Sequence, residues 1–193
     1  MPGRIYSRLL ELATDQYGYV STDDARTLEI APGRLKLLAE RGSLVRIARG
    51  LYRFPATVVP ITPLDQYMQA TMWPAGRGIL SHQTALAAYK MSDVNPTKVH
   101  VTVPSDYRIR RKEVPAVFEF HHADLDAREI SSLEGIPIVS AARAIRDAHA
   151  SHLGEALVGQ AIDDGERSGR LRRLQAQELR EEFSLPAGVG MRR

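Results

Sequence analysis

The first forty residues carry apolar positions at helical spacing, interrupted by helix-ending residues. Residues 4–16 have one apolar face and predict an amphipathic helix. Ser21 and Asp24 have the spacing of a capping box and predict the start of a second, short helix. A third helix is predicted from Pro32 to Arg41, because proline suits a first helical position and Gly42 suits the residue after the last one.

Two β-like runs follow the third helix. Residues 43–47 and 51–54 predict short strands, and residues 48–50 predict the turn between them, with Gly50 in a left-handed conformation. Three helices followed by a β-hairpin is the order of a winged helix-turn-helix. We therefore interpret residues 1–54 as a DNA-binding domain of that type.

The pattern changes after the hairpin. Three prolines within 55–63 predict a linker, because proline interrupts helices and central strands. Residues 64–183 mix helical patterns with alternating strands such as "KVHVTVP" and "AVFEFHH", and end in three predicted helices. Residues 184–193 are interpreted as a flexible tail. The predicted fold class is α+β, with a winged helix-turn-helix followed by a mixed α/β domain that has C-terminal helices.

Positive charge is concentrated in one segment. The chain has a net charge of +3, yet residues 34–54 hold six basic side chains and one acidic one, Glu40. The six are Arg34, Lys36, Arg41, Arg46, Arg49 and Arg53. A local cluster on a predicted helix and hairpin indicates nucleic-acid binding more strongly than net charge does. The alternative is an ordinary solvated charged face.

The six cations suit different parts of a DNA duplex. Arg34, near the helix start, is the candidate for reading a base edge, because arginine pairs bidentately with guanine. Lys36 and Arg41 are predicted to contact phosphates, and Arg49, at the hairpin tip, to enter a minor groove. Arg46 and Arg53, on the two predicted strands, are expected to flank the DNA backbone.

Composition narrows the function class. Cysteine is absent, which excludes disulfides and thiolate metal sites. No signal peptide or membrane-spanning run is apparent, so we expect a cytoplasmic protein with no membrane partner. His121 and His122 point to opposite faces of one predicted strand and are a poor metal pair. No zinc signature, dinucleotide fingerprint or catalytic carboxylate pair appears, so neither a metal nor a cofactor is predicted.

Three segments in fixed order carry a resemblance to a known family. They are "RGLYR" at 49–53, "SHQTAL" at 81–86 and "GIPIVSAARAIRDA" at 135–148. With the predicted winged helix, this order resembles the AbiEi-type antitoxins of bicistronic, type IV toxin–antitoxin systems. The chain departs from the family pattern at Ala144, where threonine is frequent, and at Ile145, where leucine is frequent.

The resemblance covers about residues 4–180 and implies a function. The winged helix would bind inverted repeats in the operator of its own operon and repress it. The second domain would neutralise a nucleotidyltransferase-like toxin, directly or indirectly, with modification of the toxin as one route. The alternatives are a ligand-responsive transcription regulator and an enzyme, an atypical kinase that acts on the toxin. No P-loop or kinase glycine-rich loop is present.

Two features of the second domain are candidates for antitoxin function. Arg108, Arg110, Arg111 and Lys112 cluster between two predicted strands. This loop is interpreted as a second nucleic-acid surface, as a contact for an acidic toxin face, or as a solvated loop. His82, just inside a helix start, is either a buried helix-end histidine or a residue of the antitoxin site.

Overall fold

A computed structural model describes residues 3–108 and 114–186, and within them α-helices combine with two β-sheets. The α+β class is therefore confirmed. The chain divides into two compact units. Unit 1 comprises Met1–Gly78, Asp106–Val114 and Glu134–Ile136, and unit 2 comprises Ile79–Ser105, Pro115–Leu133 and Pro137–Arg193.

Unit 1 has the element order of a winged helix. Its elements are α1 (Arg4–Asp15), β1 (Tyr19–Ser21), α2 (Thr22–Thr27), α3 (Gly33–Glu40), β2 (Val45–Ala48), β3 (Leu51–Arg53) and α4 (Asp65–Met72). The strands form an antiparallel sheet in the order β1-β3-β2, so β3 is central. The three helices and the hairpin were predicted, whereas β1 was not.

The core of unit 1 joins the helices to this sheet. Leu9 of α1 and Leu35 of α3 are fully buried and pack with Val20, Tyr52 and Phe54. Burial of each large side chain contributes about 2 kcal/mol, which fixes α3 by its apolar side. The opposite side of α3 is thereby turned towards solvent.

The structure corrects the expectation that Arg53 contacts DNA. Because β3 is central and α4 packs beside β1, Arg53 is only 6% exposed. Its guanidinium donates to Asp65 Oδ1 at 2.8 Å and to the Phe54 carbonyl at 2.7 Å. Asp65 also accepts from the Tyr19 hydroxyl at 2.7 Å. Arg53 therefore holds α4 in place and is not available to a phosphate.

The predicted linker, residues 55–63, lies inside unit 1 in the structure. The Arg53–Asp65 pair joins the helix after this segment to the hairpin before it, and Val59 of the segment packs against the core of unit 1. The first division between the units follows Gly78 instead. Of the predicted tail, residues 187–193 lie outside the described residues.

Unit 2 is built on a five-stranded sheet. Its elements are β4 (Ile79–Leu80), α5 (His82–Ala88), β5 (Val99–Val103), β6 (Phe118–His122), a 3-10 turn (Ala127–Glu129), β7 (Ile130–Leu133), β8 (Ile136–Val139), α6 (Ala141–Ala150), α7 (Glu155–Arg167) and α8 (Arg173–Glu182). The strand order is β6-β5-β4-β8-β7. Strands β5 and β6 are parallel, as are β4 and β8, while β4 and β5 are antiparallel. The three C-terminal helices are confirmed.

Among the helices that the structure describes, none has both the length and the apolar character that crossing a bilayer requires.

Candidate functional site

Helix α3 presents three cations on its exposed side. Arg34, Lys36 and Arg41 are exposed, while Leu35 between them is fully buried. Lys36 lies 3.7 Å from Glu40, and both side chains are mostly exposed, so the pair is weak. Within the described residues neither Arg34 nor Arg41 makes an ion pair. We call these three residues the α3 cations.

The hairpin adds Arg46 on β2 and Arg49 in the turn, and both are exposed. Gly50 closes this turn with a φ of +75°, a conformation that favours glycine. Its carbonyl accepts from the Thr22 N–H at 3.0 Å. A side chain at position 50 would approach Thr22 Oγ1 to 3.1 Å. The glycine therefore allows the turn to lie against the start of α2.

A concave surface of about 1060 Å³ adjoins this turn, and all of its lining residues belong to unit 1. Five arginines line it, together with Asp23 and Asp106: Arg26, Arg46, Arg49, Arg77 and Arg108. We call it the arginine concavity. Arg26 is paired with Asp23, and the Arg77 guanidinium lies 5.7 Å from the centre of the Tyr107 ring. Arginines outnumber acids here, so the surface favours anions.

The predicted cations therefore fall into two groups. The α3 cations do not line the arginine concavity, whereas Arg46 and Arg49 do. Arg108, predicted for the antitoxin function, belongs to unit 1 and lines the same concavity. The other predicted loop cations, Arg110, Arg111 and Lys112, lie outside the described residues. Sequence reasoning missed Arg26 and Arg77, because each stands apart from the cationic segment and only the fold brings it there.

His82 is the first residue of α5 and is 9% exposed. Its Nδ1 lies 2.9 Å from Ser81 Oγ, and its φ of +53° is unusual for a residue with a side chain. The Ser81 hydroxyl makes no capping bond to the backbone of α5. The interpretation of His82 as a buried helix-end histidine is confirmed, and its part in antitoxin function stays a prediction.

His82 also belongs to a cluster that sequence reasoning missed. Its ring stacks on His121 with 3.7 Å between centroids. Across the parallel strands β5 and β6, His100 Nδ1 lies 2.9 Å from His121 Nε2. We call these three residues the imidazole cluster. The sequence does contain a signal for this cluster: polar residues alternate with valine in β5 and with phenylalanine in β6. However, the sequence of neither strand reveals the register that aligns their polar side chains.

Burial keeps the cluster uncharged. It lowers the pKa of all three imidazoles, and the neighbouring rings and Arg143 act in the same direction on His82, whose pKa falls to about 3. Burial raises the pKa of Asp147, although the Arg143 guanidinium that donates to it acts in the opposite direction. The three rings are thus neutral near pH 7, and each holds one nitrogen lone pair.

Comparison with protein families identifies the N-terminal segment. Residues 7–55, about a quarter of the chain, match a family model described as "Transcriptional regulator, AbiEi antitoxin". The match runs from α1 to β3, so it includes the α3 cations. The resemblance found in the sequence is confirmed for this segment. Among curated proteins, no significant match was found.

A solved structure shares the architecture. The crystal structure of the RV2827C protein from Mycobacterium tuberculosis aligns with a TM-score of 0.52 at 12% identity, over 94% of this chain and 72% of that chain. At this identity the likeness shows the fold alone.

Proposed function

We propose that unit 1, whose residues 7–55 belong to the AbiEi antitoxin family of transcriptional regulators, binds operator DNA and represses its own operon. One observation carries the proposal. A winged helix buries the apolar side of α3 and leaves Arg34, Lys36 and Arg41 exposed, with Arg46 on the adjoining hairpin. Exposed cations on a helix and wing suit the major groove and the phosphates beside it.

The exposed cations contact different parts of the DNA in this proposal. Arg34, one residue into α3, is placed to reach a base edge if the start of this helix enters the groove. Lys36, Arg41 and Arg46 neutralise phosphates, which position the protein without reading sequence. The arginine concavity supplies further positive charge for the flanking backbone. The operator is expected to contain inverted repeats.

Unit 2 is proposed to neutralise a nucleotidyltransferase-like toxin, through direct contact or indirectly. Support comes from the family description as an antitoxin and from the Ser81-His82 segment and residues 135–148, whose order resembles that family. Among the described residues, His82 of unit 2 is proposed to take part, and so is Arg108, which belongs to unit 1. The rival functions, a ligand-responsive regulator and an atypical kinase, become outcomes of the tests below.

Repression and neutralisation are separable in cells. The full-length Arg34→Ala/Arg46→Ala variant is expected to lose repression of a reporter fused to the upstream DNA. The reason is that the two substitutions remove two positive charges from the proposed DNA-binding surface. It should still rescue growth when the adjacent toxin gene is induced. Arg128→Ala is the matched control, since its side chain is 95% exposed and lies in unit 2. Repression by the double variant equal to wild type would remove this surface from the proposal.

Rescue alone does not identify the route of neutralisation. Purified toxin, incubated with the full-length protein and ATP, is expected to keep its mass if contact suffices. An added phosphate would establish the kinase alternative. Failure to rescue growth at all, with repression intact, would favour the ligand-responsive regulator.

A further inference from the structure

We propose that His100, Glu119 and His121 form a binding site for a divalent transition-metal ion of the zinc class. One ligand atom from each residue lies within 4.8 Å of the other two. Two imidazoles and a carboxylate are a ligand set that zinc uses with one coordination position left open. This site is independent of the DNA-binding function proposed for unit 1.

Strand register creates the site. In the parallel pair of β5 and β6, His100 lies opposite Glu119 and Thr102 lies opposite His121. Alternate residues of a strand share a face, so all four side chains belong to the same face of the sheet. The backbone of two paired strands holds them, which is the rigid support that a metal site needs.

The distance between the two imidazole nitrogens requires a small adjustment. His100 Nδ1 and His121 Nε2 are 2.9 Å apart. Tetrahedral zinc with Zn–N bonds of about 2.0 to 2.1 Å separates two nitrogens by about 3.4 Å, so the rings must part by a few tenths of an ångström. The proton shared between the rings must also shift to the other nitrogen of its own ring, which a neutral imidazole does without losing a proton. Both facing nitrogens then present lone pairs.

An unsatisfied hydroxyl gives independent support. Thr102 is 1% exposed, and its Oγ1 has no hydrogen-bond partner within the described part of the chain. It stands opposite His121 on the face that carries the proposed ligands. Buried hydroxyls are nearly always bonded. A metal-bound water in the open position would supply the partner that Thr102 lacks.

The charges around the site limit its affinity without blocking it. Lys98 Nζ lies 3.2 Å from Glu119 Oε2, so one carboxylate oxygen is already paired. Asp147 interacts favourably with charge at His121, and its Oδ2 has no bonding partner among the described residues. The two imidazoles are therefore the main ligands, and Glu119 contributes the third bond.

Calorimetric titration of chelator-treated, full-length protein with zinc chloride tests the proposal. We expect a transition at one zinc per chain, which His121→Ala abolishes and His122→Ala leaves intact. His122 is the matched control, because it is the next residue on β6 and points to the other face. Glu119→Gln, at a half-exposed position, tests the site if the histidine variants fail to fold, and it should weaken zinc binding.

Bound Co²⁺ gives a second readout. Coordination by the two imidazoles should produce a visible absorption band in the wild type and in His122→Ala, and none in His121→Ala. Absence of binding at one equivalent in the wild type would overturn the proposal. So would equal loss of binding in His121→Ala and His122→Ala, or unchanged binding in folded His121→Ala and Glu119→Gln.

Discussion

The ion pair between Arg53 and Asp65 joins the hairpin of unit 1 to α4. Both side chains are nearly inaccessible, at 7% and 11% exposure, and Arg53 also donates to two carbonyl groups. Charges withdrawn from water require this degree of pairing, because an unpartnered buried charge is strongly destabilising. The pair is thus a condition for the fold of unit 1.

Removing Asp65 should show how much the stability of unit 1 depends on this ion pair. Asp65→Ala leaves the Arg53 guanidinium buried without its carboxylate and should lower the free energy of unfolding by about 3 kcal/mol. Urea denaturation measures the change. Lys36→Ala, which removes the exposed pair with Glu40, should change it by no more than about 0.5 kcal/mol. Equal effects of the two substitutions would contradict the structural role given to Arg53.

Buried His82 makes stability depend on pH. Because its pKa falls to about 3 in the folded protein, the unfolded chain binds its proton first as the pH drops below about 6.5. This contribution to stability is complete above that pH and is lost progressively towards pH 3. Chelator-treated His82→Gln should lose roughly 2 kcal/mol less than wild type between pH 7 and pH 5. Identical pH profiles from urea denaturation would contradict the burial.

Single cations show what the sequence could and could not predict. The charge pattern identifies six basic residues in one segment, and five of them are exposed as expected. Arg53 differs, because β1 makes its strand central and α4 brings Asp65 to it. Both causes lie outside the cationic segment, so no local pattern indicates them.

At the scale of elements, the capping box at the start of α2 connects sequence to structure directly. The Asp24 N–H donates to Ser21 Oγ at 3.0 Å, and the Ser21 N–H donates to the Asp24 carboxylate at 2.7 Å. These bonds satisfy backbone donors that a helix start leaves without partners. They also fix the segment on which the hairpin turn rests.

Ser21→Ala removes the cap and should lower the free energy of unfolding by about 1 kcal/mol. Thr14→Ala is the control, because Thr14 is exposed and, among the described residues, its hydroxyl bonds only to a carbonyl of its own helix. Thermal and urea unfolding compare the two variants. A loss for Thr14→Ala as large as that for Ser21→Ala would show that the cap is not the cause.

Elements with a clear pattern were predicted, and short or exposed ones were not. β1 has three residues and β4 has two, which is too few to show an alternating pattern of apolar and polar residues. β7 is mostly exposed along its length and carries no apolar face. Such strands form because a neighbouring strand offers backbone hydrogen bonds, and that neighbouring strand lies elsewhere in the sequence.

At the scale of the whole molecule, the two candidate sites depend on contacts distant in sequence. Arg108 joins the arginine concavity although nearly sixty residues separate it from the hairpin. The imidazole cluster requires a parallel register between β5 and β6. The element order and the charge pattern of the sequence predicted the winged helix and its cations, but neither of these assemblies.

DNA binding by the exposed cations of unit 1 is tested most directly by its dependence on salt concentration. Fluorescence anisotropy of the operon's upstream duplex should show affinity for the full-length protein that falls steeply between about 50 and 200 mM salt. Lys36→Ala/Arg46→Ala should reduce the slope of log K against log salt by about 2, one for each lost phosphate contact, while Arg128→Ala leaves it unchanged. No binding by the wild type, or the same slope in the double variant, would contradict the account.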